Sequence, residues 1–150
     1  MAIEEFFMSD PALSGAMHCP PGTPIADCPT GAPAIRVLAM PADTNPAGDI
    51  FGGWLLSQMD IAGATVAVER SGGRVVTIAV EGMSFLKPVH VGDLVSFYAA
   101  IEKVGRTSIR VRIDAWAKRG RTGTEERVTE GVYTYVAIDE SRKSRPIPAR

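Results

Sequence analysis

Trp54 to Arg70 reads WLLSQMDIAGATVAVER, seventeen residues without a proline. Its length and its alanine, leucine and methionine content favour a helix over a strand. Arg70 is followed by Ser71-Gly72-Gly73, a stop signal for a helix. Trp54, Leu55, Leu56, Met59, Ile61, Ala62, Ala64, Val66, Ala67 and Val68 cover nearly every direction of the helical wheel. A helix that is apolar all round is covered on all sides. A flat sheet packed on one face would leave the other side wet. Either the sheet curls strongly around the helix, or a second subunit covers it, or both.

Working outward, the flanking segments read as β-structure. Upstream, IRVLAM from Ile35 is a strand stopped by Pro41. Downstream, RVVTIAVEGMSFL from Arg74 is rich in β-branched residues, and LVSFYAAIEKV from Leu94 follows a Gly92-Asp93 turn. In TSIRVRIDAWAKR, Ile109, Val111, Ile113 and Ala115 share one face, and Arg110, Arg112 and Asp114 share the other. VTEGVYTYVAID closes the series. Turns at Gly105-Arg106 and from Arg119 to Thr124 make the strands they join antiparallel neighbours. One strand, one long helix and a run of strands is an α+β pattern, in which an antiparallel meander can wrap the helix.

The domain spans residues 34–150. Residues 1–33 form an irregular arm dense in proline and glycine, with neither a period of 2 nor one of 3.6. The arm holds both cysteines, Cys19 and Cys28, read as plain loop cysteines in a reducing compartment. With His18 they are one ligand short of a closed zinc site, so no metal is expected. A net charge of −1 gives no global attraction to nucleic acid or an anionic membrane. No apolar run approaches a membrane span, and the start MAIEEFFMSD carries three acids and no base. A cytoplasmic location is expected, without a signal peptide or a membrane partner.

Three features carry chemistry. Asp60 is an acid in the middle of the apolar helix, and burying an unpaired carboxylate is costly. It is either a structural partner for an arginine or a loop, or a functional acid; the sequence leaves both readings open. Gly52 and Gly53 lead into the helix, whose first-turn N–H groups are unpaired and can stabilise a developing oxyanion. Taken alone, a glycine pair there equally permits a tight turn. Arg106, Thr107 and Ser108 form a turn suited to phosphate, with Lys87 in another turn. Each of these taken singly reads as solvated basic surface. Other schemes find no support: there is no GxSxG elbow, no GxxxxGK(S/T) loop, and neither HExxH nor a paired CxxC.

MPADTNPAGDIFGGWLLSQMD, Met40 to Asp60, resembles the signature of the YciA-like bacterial acyl-CoA thioesterases. The likeness continues through RVVTIAVEGMSFLKPVHVGD and EKVGRTSIRVRIDAWAK to the tail SRKSRPIP, and covers roughly residues 35–148. The resemblance implies a hotdog fold, a long antiparallel sheet wrapped around one central helix. It implies dimers joined edge to edge and hexamers built as trimers of dimers, with active sites at the dimer interface. It places the family's helix aspartate on Asp60 and its polar loop residues on Asn45 and Asp49; Pro46 departs from the common loop pattern. Asp60 is then expected to activate water or to attack the thioester directly, with Gly52 and Gly53 as oxyanion donors. Arg106, Thr107, Ser108 and Lys87 are expected to hold coenzyme A, which is part of the substrate, so no cofactor is expected. The dehydratases of this fold use a histidine motif that the helix region lacks. A non-catalytic acyl-CoA-binding protein is the remaining alternative.

Overall fold

The proline-free stretch folds as a 20-residue helix, α1 (Gly52–Ser71), in the computed structural model, which describes residues 27–149. It starts where Phe51 leaves extended backbone and ends at Gly72, which takes the left-handed conformation at φ 68°. The Gly72 N–H donates to the Val68 carbonyl at 2.9 Å, closing the last turn.

Five strands make one antiparallel sheet: β1 (Ile35–Leu38), β2 (Val75–Phe85), β3 (Leu94–Val104), β4 (Ser108–Lys118) and β5 (Glu125–Ala137). Their order is β1-β3-β4-β5-β2. The two turns legible in the sequence join β3 to β4 and β4 to β5 as neighbours. The meander does not extend to β2, which pairs with β5 on the far side. Residues 86–93 carry the chain from β2 back to β3. The free edge of β3 takes β1 instead, held by Ala39 N–H to Asp93 O and Gly92 N–H to Ala39 O.

The alternation in β4 sorts as expected. Ile109, Val111, Ile113 and Ala115 are fully buried on the face toward α1, with Phe97, Tyr133 and Tyr135 from the adjoining strands. Arg110, Arg112 and Asp114 lie on the opposite face, where Arg110 pairs with Glu81 and Glu102, and Arg112 with Asp114 and Glu130.

Leu55, Met59, Ala62, Gly63 and Ala67 of α1 are buried, but Ile61 is 50% and Val68 43% exposed. The sheet of one chain therefore covers only one side of its helix. Along the edge strand, Ile78 and Val80 are exposed as well. Of the two ways of covering an all-apolar helix, curling of its own sheet is insufficient here.

Most of the expected arm lies outside the described residues; Cys28 to Ala34 holds no helix or strand. Cys28 is disulfide-bonded, which corrects the expectation of plain loop cysteines. That expectation rested on compartment chemistry alone, whereas pairing depends on where the chain brings two thiols. Among the described residues no helix is long and apolar enough to cross a membrane.

Candidate active site

Asp60 lies on the flank of α1, half-buried, at the seam between the helix and the β2–β5 ribbon. The Thr77 hydroxyl, from β2, donates to Asp60 Oδ1 at 2.6 Å. The Tyr135 hydroxyl, from β5, lies 3.2 Å from the same oxygen and 3.0 Å from the Asp60 backbone carbonyl. Thr77 and Tyr135 are themselves a cross-strand pair, so one rung of the sheet supplies both hydroxyls. Burial, and after it the charge of Asp60, pushes the Tyr135 phenol well above its ordinary range. Tyr135 is therefore a neutral donor at any working pH. No arginine or lysine pairs with Asp60, so the structural salt-bridge reading finds no partner among the described residues.

The loop before the helix is organised by Asn45. Its side-chain oxygen accepts from the N–H groups of Ala47 (3.0 Å) and Asp49 (3.1 Å), a turn closed by the side chain itself. The Asn45 N–H donates to the Asp49 carbonyl at 2.7 Å. With its oxygen committed, Asn45 has its side-chain N–H₂ left to offer outward. The Asp49 carboxylate lies 3.6 Å from His90 Nδ1. Phe51 N–H is taken by Asp43 O, and the first helical bonds from Trp54 and Leu55 return to Phe51 O. The N–H groups of Gly52 and Gly53 have no acceptor among the described residues. A Cβ at Gly53 would meet nothing. This is an open, donor-rich helix N-terminus.

The expected coenzyme A residues fall in two places. Arg106 is exposed in the β3–β4 turn with no side-chain partner among the described residues, and its carbonyl accepts from the Ile147 N–H. Thr107 and Ser108 follow it, and the Thr107 carbonyl accepts from Ala137 N–H. Lys87 lies toward the opposite end of the sheet, its N–H on Val128 O and its ammonium on Glu126 at 2.6 Å. At about 3.3 Å per residue along β4, Lys87 and Arg106 of one chain are roughly 25 Å apart. Among the described residues no group of three histidine, cysteine or acidic side chains could hold a metal.

Residues 47–124 match the model of the thioesterase superfamily. The acyl-CoA thioester hydrolase YciA of Salmonella typhimurium is 51% identical over 131 residues, which is 85% of this chain and 98% of that protein. The chain belongs to the YciA-like acyl-CoA thioester hydrolases. It is an enzyme of the thioesterase superfamily with the hotdog fold. A hexameric thioesterase of Yersinia pestis superposes with a TM-score of 0.78 at 54% identity, covering 82% of this chain and all of that one. A hexameric broad-specificity acyl-coenzyme A thioesterase superposes with a TM-score of 0.78 at 48% identity, covering 82% of this chain and 85% of that one.

Within this YciA-like chain the structure brings Asn45, Asp49, Gly52 and Gly53 together at one end of α1. Asp60 stands alone farther along, and Arg106 to Ser108 lie beyond the helix's other end. Three nearby side chains were missed in the sequence. His90 joins Asp49 across forty-one residues with no local pattern to announce it. Thr77 and Tyr135 converge on Asp60 from two strands; the available signal was that a buried tyrosine hydroxyl requires a partner.

Proposed function

We propose that this thioesterase hydrolyses acyl-CoA to a free acid and coenzyme A, in a site shared between two subunits. The observation that carries the reading is Asp60: a carboxylate on an apolar helix, held by two hydroxyls, in the motif of the family. At about 1.5 Å per residue, eight residues separate Asp60 from Gly52 by roughly 12 Å along the helix. A thioester carbonyl against the N–H groups of Gly52 and Gly53 is thus out of reach of a water on the same chain's Asp60. Asp60 of a second subunit closes that gap. The exposed Ile61, Val68, Ile78 and Val80 give a second subunit an apolar surface to cover, and the hexameric relatives support assembly beyond a dimer.

In the reaction, Asp60 takes a proton from water as the water oxygen bonds to the carbonyl carbon. Gly52 and Gly53 N–H groups receive the developing oxyanion. Collapse breaks the C–S bond, and the proton held by Asp60 passes to the departing thiolate. Asn45 and Asp49 orient the carbonyl or the water. Arg106, Thr107 and Ser108 hold the phosphates of coenzyme A. Lys87 serves the same molecule only from a different subunit, given its distance from Arg106. No resident cofactor enters this scheme.

The test is Asp60→Asn. Turnover of acyl-CoA should fall by about a hundredfold or more with little change in KM and no loss of melting temperature. A folded variant with undiminished turnover would sink the mechanism. Sedimentation should show no active 16 kDa monomer.

A further inference from the structure

We propose that Tyr135 and Thr77 are positioning residues that fix one oxygen of the Asp60 carboxylate, so that the other, Oδ2, is the oxygen that meets water. The inference rests on the catalytic reading of Asp60 above and goes beyond it by naming the groups that aim the acid. Both donors converge on Oδ1, at 2.6 and 3.2 Å. Oδ2 receives no donor among the described residues. The single Tyr135 proton is shared between Oδ1 and the carbonyl of the same residue, which ties the aspartate's side chain to its own backbone. An acid held this way has lost its side-chain rotation before substrate arrives.

The donors are neutral. An arginine in their place would orient the carboxylate equally well but would oppose proton uptake with a full positive charge. Hydroxyls orient Asp60 without that opposition. The helix also makes room for this contact. A Cβ on Gly63 would lie 2.2 Å from the Tyr135 hydroxyl oxygen, so a residue with any side chain at position 63 displaces it.

The fold supplies its own control. Tyr133 stacks on Tyr135 with ring centroids 6.3 Å apart and donates to the Leu56 carbonyl at 3.0 Å, one turn earlier on the same helix. It makes the same kind of strand-to-helix contact but does not touch the acid.

The experiment measures kcat, KM and melting temperature on acyl-CoA for Tyr135→Phe, Thr77→Val, Thr77→Ser and Tyr133→Phe, with Tyr135→Phe repeated in an Asp60→Asn background. Tyr135→Phe and Thr77→Val should each lower kcat about tenfold or more, the scale of one hydrogen bond to a charged group, with KM little changed. Thr77→Ser should retain wild-type turnover, and Tyr133→Phe should leave kcat unchanged. With Asp60 already replaced, Tyr135→Phe should cost little of the residual rate, because there is no carboxylate left to aim. Equal kcat losses in Tyr133→Phe and Tyr135→Phe would overturn the proposal, as would an undiminished Tyr135→Phe effect in the Asp60→Asn background. If Asp60→Asn is inactive while Tyr135→Phe and Thr77→Val turn over normally, this inference fails and the catalytic reading stands. Full turnover by Asp60→Asn defeats the catalytic reading itself.

Discussion

Two aspartates in this molecule, Asp60 and Asp93, are held in opposite ways. Asp93 is 3% exposed, accepts from the His90 N–H at 2.9 Å and is in contact with the Arg119 guanidinium. Arg119 also holds Glu126 at 2.9 Å and the Pro88 carbonyl at 3.0 Å, and Glu126 in turn holds Lys87. This chain of charges ties the 86–93 connection to the β4–β5 turn. Burial alone would lower the Arg119 pKa, but its bonds to Glu126 and Asp93 more than reverse that and hold it above the ordinary value. Asp60 has no cation partner among the described residues. A buried acid that serves the fold is neutralised by charge, whereas the acid proposed to serve chemistry is oriented by hydroxyls and keeps its charge available. That contrast is a more discriminating mark of a working carboxylate than burial, which both share in part.

The comparison breaks most decisively if the two acids exchange effects. Asp60→Asn should remove turnover and spare stability. Asp93→Asn should do the reverse, lowering unfolding stability by about 3 kcal/mol, because removing one partner strands Arg119 in a half-buried network. Its kcat on the folded fraction should remain near wild type. A thermal melt and a rate on each variant decide the matter, and similar profiles for the two would dissolve the distinction.

A smaller effect sharpens the division between chemistry and binding. Arg106→Ala should raise KM for acyl-CoA by about tenfold at unchanged kcat, since a remote phosphate contact supplies uniform binding. Short thioesters lacking the nucleotide should be hydrolysed as before. A matching loss on both substrates would make Arg106 structural, in keeping with the Ile147 contact at its carbonyl.

The smallest effect is one of pH. Lys87, and after it Arg119, hold the Glu126 carboxyl below the usual range. A folded-state value lower than the unfolded one, about 4.3, means stability that is present above that pH and lost as pH falls through the folded value. Melting temperature should decline on acidification below about pH 4, and Lys87→Met should make the decline shallower. The group is near the surface, so screening keeps the change modest, and high salt should shrink it further. A slope that Lys87→Met leaves unaltered would assign the acid lability elsewhere.

Local chemistry made much of the fold legible. The helix and its glycine stop follow from composition over seventeen residues, and the β3–β4–β5 meander follows from two short turns and period-2 alternation in β4. The pairing of β2 with β5 was not legible, because nothing in residues 86–93 distinguishes a crossing connection from a hairpin. At the site, Asp60 stood out because one charge in an apolar helix is costly. Tyr135 did not, because β5 alternates Tyr133 and Tyr135 as any core strand would. What separates the two tyrosines is where each meets the helix, a relation between residues seventy-five positions apart.

The space above Gly63 has a consequence for how this sequence can drift. Glycine inside a helix is disfavoured by about 1 kcal/mol relative to alanine, so a lone mutation from Gly63 to Ala would ordinarily be welcomed by the helix. Here it is barred by the hydroxyl of Tyr135, and also by the Ile113 side chain, 2.7 Å from where the new carbon would lie. The three positions are thereby linked: a descendant that enlarges residue 63 must give way at both Tyr135 and Ile113, and one that keeps both keeps the gap. Concerted substitution at 63, 113 and 135, never change at 63 alone, is the pattern this geometry imposes on the lineage.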